Sequence, residues 1–155
     1  VPGGFVDFAA NYLHVCGLDT SGVIHCMGNV SNGALMAPTE QTFVDVEVAN
    51  NITCGLDDAG SIDCWGIDVS LTGEFVQLAT SEMRTCGVTV DGNIECVSHS
   101  PGASELDSVP PEEGPYQAVF LDGMGMTQCA LKEDGEALCN TFVCQQYNLC
   151  DVPTP

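Results

Sequence analysis

Phe43 to Cys64 reads FVDVEVANNITCGLDDAGSIDC, and the same pattern is written three more times along the chain. Phe5 to Cys26 is FVDFAANYLHVCGLDTSGVIHC, Phe75 to Cys96 is FVQLATSEMRTCGVTVDGNIEC, and Tyr116 to Cys139 is YQAVFLDGMGMTQCALKEDGEALC. In every copy nine residues separate two cysteines, and an internal period of this kind marks a repeat architecture. If the two cysteines face each other across an antiparallel hairpin, the loops between the strands are Thr20-Ser21-Gly22, Asp58-Ala59-Gly60, Val90-Asp91-Gly92 and Glu133-Asp134-Gly135. Glycine is third in all four, the position that a type I turn with a following bulge places in the left-handed region. Loop and cysteines therefore specify one register independently.

Opposed residues at a non-hydrogen-bonded pair have Cα atoms about 4.5 Å apart, within the disulfide range of about 4.4–6.8 Å. The expected bridges are Cys16 to Cys26, Cys54 to Cys64, Cys86 to Cys96 and Cys129 to Cys139. Cys144 and Cys150 are left to close a C-terminal loop. Each hairpin bridge closes about 11 residues, worth roughly 2.8 kcal/mol in the chain-entropy model.

Period-two alternation continues on both sides of each loop. Leu18, Leu56, Val88 and Leu131 follow the first cysteine by two residues and share its face. Gly17, Gly55, Gly87 and Ala130 lie on the opposite face, leaving room for a ring or another backbone. The segments that open the repeats, Val6 to Ala10, Val44 to Val48, Val76 to Ala79 and Ala118 to Leu121, read as a further strand, apolar enough to be central. Helix signals are nearly absent. The reading is all-β: one repeat domain over residues 1–155, with antiparallel units at about 5–28, 43–66, 75–98 and 116–141, and a C-terminal disulfide loop at 142–155. Cysteine-to-cysteine periods of 38, 32 and 43 residues show constant units joined by variable connectors, the longest being Val97 to Pro115.

CGLDDAGSIDCWG (Cys54 to Gly66), CGLDTSGVIHCMG (Cys16 to Gly28) and CALKEDGEALC (Cys129 to Cys139) resemble the repeats of the regulator of chromosome condensation superfamily, above all secreted, disulfide-containing members with short repeats. The resemblance implies a β-propeller or part of one, since such repeats usually build seven blades and this chain has four. It implies binding of proteins or other macromolecules through loops. The family's tryptophan-glycine survives here only at Trp65-Gly66.

The chain has 155 residues, 22 acidic against two basic, and a net charge of −20. Arg84 and Lys132 are the only cations, so nucleic acid and anionic lipid surfaces, which require clusters of basic side chains, are excluded as partners. No stretch approaches the roughly 20 apolar residues of a membrane-spanning helix. Ten cysteines in a chain this short point to an oxidising compartment, and the start at Val1 reads as a mature or excised segment. The sequons at Asn29 and Asn51 are the candidate glycosylation sites.

Other candidates reduce to structure. His14, His25 and His99 lack the two-residue cysteine spacing of zinc sites. Asp57-Asp58, Glu105-Asp107 and Glu112-Glu113 lack the alternating carboxylate loop of a dedicated calcium site, which leaves weak, diffuse calcium binding at most. Phe5, Phe43, Phe75 and Tyr116 recur at one place per repeat and, with Trp65, are read as blade packing. No catalytic motif is present and no cofactor is expected. The sequence points to a non-enzymatic extracellular structural or assembly module, such as a glycosylated subunit of a filament or surface appendage. The alternative is a secreted, lectin-like or inhibitor-like propeller that binds a protein or glycan through its loops.

Overall fold

A computed structural model of the chain describes residues 4–99, 114–124 and 127–141, with the side chains of residues 140 and 141 left out. Cys144, Cys150 and the acidic pairs at 105–107 and 112–113 lie outside the described residues. The elements are β1 (Phe5–Ala10), β2 (His14–Asp19), β3 (Ile24–Gly28), β4 (Phe43–Ala49), β5 (Ile52–Asp57), β6 (Ile62–Trp65), β7 (Ser70–Leu71), β8 (Phe75–Thr80), β9 (Arg84–Thr89), β10 (Ile94–Ser98), β11 (Tyr116–Leu121), β12 (Thr127–Lys132) and β13 (Ala137–Thr141). They form four antiparallel sheets in chain order: β1-β2-β3, β4-β5-β6-β7, β8-β9-β10 and β11-β12-β13. Each sheet is one blade.

Within each blade the cysteines are directly paired across the second hairpin. All four bridges, Cys16–Cys26, Cys54–Cys64, Cys86–Cys96 and Cys129–Cys139, are formed, with Cα separations of 4.0 or 4.1 Å. Gly22, Gly60, Gly92 and Gly135 have φ between 76° and 89°, the conformation that the loop residues demanded. Asp19 and Asp57 tighten the first two turns. Asp19 Oδ1 accepts from the amides of Ser21 and Val23, and Asp57 Oδ1 from those of Ala59 and Ser61. The Ser21 hydroxyl and His25 also bond Asp19, and these contacts hold its carboxyl well below the usual carboxylate range.

The opening strand corrects the sequence reading: it is the inner edge of each sheet, and the middle strand is the one carrying the first cysteine. A β-bulge explains its composition. The pairing slips by one residue between Phe5 and Asp7, Phe43 and Asp45, Phe75 and Gln77, and Tyr116 and Ala118. Val6, Val44 and Val76 are left unpaired at the bulge and exposed. The slip also moves the aromatic residue onto the face of the glycine. Phe43 lies against Gly55 and Phe75 against Gly87, where a Cβ would meet the ring within 3 Å.

Consecutive blades bury one face each. The disulfide face of one blade meets the aromatic face of the next. Cys16, Leu18 and Ile24 cluster with Phe43 and Val46; Cys54, Leu56 and Ile62 with Phe75 and Leu78; Cys86, Val88 and Ile94 with Tyr116 and Val119. Trp65 joins the first cluster, its ring 5.8 Å from that of Phe43. Repetition of one interface makes the sheets an arc of propeller blades.

Candidate interaction surfaces

Each internal seam carries the same backbone clasp. The amide of the next blade's aromatic donates to the carbonyl of the turn glycine: Phe43 to Gly22 at 2.8 Å, Phe75 to Gly60 at 2.9 Å, and Tyr116 to Gly92 at 2.8 Å. Side chains on the inner strands add to it. Gln77 donates to the carbonyl of Val119 and accepts from its amide, at 3.1 and 2.9 Å, and the Asp45 carboxylate accepts the Leu78 amide in the same way one blade earlier.

Buried polar groups sit between the sheets as well. Thr53 donates its hydroxyl proton to the Ala34 carbonyl, so the His14 contact at 2.9 Å must have His14 Nε2 as donor. His99 is the opposite tautomer, because its Nδ1 faces the Glu82 carbonyl and its Nε2 accepts from Thr85. Burial lowers the pKa of both rings. Arg84, almost wholly buried, reaches Gln128 across the third seam at 3.1 Å. His14 thus links blades 1 and 2, while His99 and His25 brace their own blades, and among the described residues no group of three His, Cys, Asp or Glu side chains is arranged to hold a metal ion.

Asp7, Asp45 and Glu47 bring carboxylates together along the inner strands of the first two blades. Burial, then repulsion from Asp45 and Asp7, raises the pKa of Glu47 to about 7; burial and Asp7 raise that of Asp45.

The turns joining inner to middle strands gather at one mouth of the arc. Asn11 donates to the Ala49 carbonyl, Asn50 to the Glu82 carboxylate, and the Glu82 amide to the Gly123 carbonyl, linking four blades in sequence. Tyr12 and Met124, 80% and 56% exposed, project beside a mainly apolar cleft of about 450 Å³ that also touches Val48 and Ala49. The sequon residues are exposed: Asn29 follows β3, and Asn51 lies in the β4–β5 turn.

Among the described residues, the outer faces of blades 1 and 4 are not covered by another sheet. On blade 1 the aromatic face has no blade before it: Phe5 is 38% exposed where Phe43, Phe75 and Tyr116 are almost fully buried, and Phe8 and Met27 are 62% and 71% exposed. Phe8 stands where the inner blades carry Val46, Leu78 and Val119. On blade 4 no sheet among the described residues packs on the disulfide face. Phe120 is 55% exposed, and a Cβ built on Gly135 meets nothing within 4 Å, whereas Gly60 and Gly92 press on the following blade. The sequence identified the aromatic positions but gave no sign that the first differs from the rest, because exposure depends on what precedes it in space.

These features define, over the described residues, an arc of four disulfide-stapled blades with a β-propeller fold of the regulator of chromosome condensation type. No protein-family model matches the chain, and no curated protein matches it. Among solved structures it is similar to the ectodomain of the receptor kinase CR4 from Physcomitrella patens, at 19% identity and a TM-score of 0.75, covering 90% of this chain and 42% of that one. It is similar to the yeast RCC1 protein Prp20, solved bound to Kap60, at 13% identity and a TM-score of 0.72, covering 92% and 44%. The computationally designed protein Ika4 matches at 14% identity and a TM-score of 0.56, covering 91% and 92%. The chain thus spans less than half the length of the two natural propellers.

Proposed function

We propose that this chain is a non-enzymatic extracellular structural module that assembles through the ends of its blade arc. The observation that carries the reading is the exposed apolar surface on the outer faces of the first and fourth described blades, Phe5, Phe8 and Met27 on one and Phe120 on the other. Four formed disulfides suit an oxidising compartment, and exposed Asn29 and Asn51 suit glycan attachment. A subunit of an extracellular filament or surface appendage fits this chemistry.

The test is the size of native material by light scattering and electron microscopy, with and without calcium and at raised salt. Particles larger than one chain are expected; a monodisperse monomer under all conditions overturns the assembly reading. Loss of mass on enzymatic deglycosylation, absent after Asn29→Gln and Asn51→Gln, is the expected sign of occupied sequons. A second reading, recognition of a protein or glycan at the turns that join inner to middle strands, is favoured by exposed Tyr12 and Met124 beside the cleft. Tyr12→Ala would abolish that binding and leave assembly unchanged.

A further inference from the structure

The cleft beside Tyr12 and Met124 has a lining that selects its occupant. We propose that it takes the lysine or arginine side chain of a basic protein segment, the aliphatic stem lying on Val48, Ala49 and Met124 and the cationic head meeting Glu82 beside the ring of Tyr12. The inference rests on the recognition reading and fixes the chemistry of the partner.

The cleft is built from one position per blade. Tyr12, Asn50, Glu82 and Gly123 each follow the aromatic residue of their own repeat, Phe5, Phe43, Phe75 and Tyr116, by seven residues, and all four line the same space of about 450 Å³. Equivalent positions elsewhere keep their type, as the aromatics, the cysteines and the turn glycines do. Here the four blades present a phenol, an amide, a carboxylate and a bare backbone. A position that only packed blades would repeat as the others do, so the divergence marks one asymmetric surface assembled from four turns.

Asn50 holds the carboxylate in place. Its Nδ2 donates to Glu82 Oε1 at 2.9 Å, and the Glu82 amide donates to the Gly123 carbonyl at 3.0 Å, so head group and backbone are both fixed. The same rotamer leaves Asn50 Oδ1 buried without a partner, a destabilising arrangement that keeps the amide aimed at Glu82. Glu82 itself is exposed, and its Oε2 bonds no described residue.

Charge decides between a cation and a neutral ligand. The chain has 22 acidic side chains and two basic ones, and neither base lines the cleft: Arg84 is almost wholly buried and bonds Gln128, and Lys132 pairs with Glu136. Glu82 is the one charged residue among those that line it. A net charge of −20 draws cations toward this carboxylate and repels anions, while a neutral sugar gains nothing from that field. A basic side chain matches every part of the lining. Its stem covers apolar surface, its head donates to Glu82, and the exposed face of Tyr12 supplies a cation–π contact.

Fluorescence anisotropy of the intact, oxidised chain at physiological salt, with a labelled glycine-serine decapeptide carrying two arginines, tests the assignment. The wild type is expected to bind this peptide and to ignore the same peptide with citrulline for arginine, which keeps the size and loses the charge. Glu82→Gln preserves the shape of an exposed side chain and is expected to weaken binding about tenfold or more. Asp58→Asn removes the same charge from an exposed turn outside the cleft and is expected to change binding less than about twofold. Tyr12→Ala should weaken binding and Tyr12→Phe retain it, which assigns the effect to the ring. Equal losses in Glu82→Gln and Asp58→Asn overturn the site in favour of diffuse attraction, and equal binding of the citrulline peptide overturns the role of charge. Binding of an N-acetylglucosamine oligomer but not the arginine peptide, lost in Tyr12→Ala, overturns the basic occupant and leaves the recognition reading standing. Failure of both probes overturns both.

Discussion

Gly60 and Gly135 occupy the same turn in blades 2 and 4, with nearly the same φ of 85° and 89°, yet one is buried against the backbone of Glu74 and Phe75 and the other faces open space. The same contrast separates Phe75, 4% exposed, from Phe5 at 38%. Similar local sequence thus gives similar hairpins, and position in the arc decides which faces are core and which are surface. The burial that stabilises a blade belongs to the pair, as in other repeat proteins.

The largest break in this contrast is expected from the aromatic position. Phe75→Ala should cost about 3–5 kcal/mol, since it empties a packed seam, and Phe5→Ala less than about 1 kcal/mol in the monomer, both read from denaturant midpoints. Replacing Cys54 and Cys64 together by alanine should cost about 2–3 kcal/mol from loop closure, with a further loss because Cys54 lies in the second core cluster. The same change at Cys129 and Cys139 should lack the second part. Gly60→Ala and Gly135→Ala share the left-handed penalty of about 1–2 kcal/mol, so any excess at Gly60 measures the cross-blade approach alone.

The smallest effect is one of pH. Glu47 ordinarily titrates at 4.5 and is raised to about 7 in the folded chain, so the native state holds its proton more tightly. Its contribution is fully present below pH 4.5 and is lost as pH rises through about 7. Thermal melts of the wild type should fall between pH 5 and pH 8, and Glu47→Gln should flatten that fall. Asp19 acts with the opposite sign and in a lower window: its carboxyl is held below 3.8, so its contribution is lost on acidification. A melting temperature of wild type that is level from pH 5 to 8 would remove Glu47 from the list of buried carboxylates.

Hairpin register was legible because three constraints coincided: the cysteine spacing, the glycine of the turn, and the alternation of Leu18 and Ile24 about the bridge. The inner strand was not. Strict alternation from Phe43 puts Asp45 on the aromatic's face, but the bulge at Val44 reverses it, and a one-residue slip flips every side chain beyond it. The consecutive apolar pairs Phe5-Val6, Phe43-Val44 and Phe75-Val76, each followed by a polar residue, were the available signal. Gln77 and the turn residues Asp19 and Asp57 were missed for another reason, since their partners are backbone groups that carry no mark in the sequence.

Each of the four bridges joins cysteines ten positions apart and none crosses a seam. The eight cysteines that form them admit roughly a hundred pairings among themselves, but each is joined to the nearest of the other seven and is already brought close to it by its own turn. Oxidation can therefore be completed unit by unit during synthesis, before any two blades have met. None of these four bonds then records how many units stand side by side, and among the described residues that number is left to noncovalent packing.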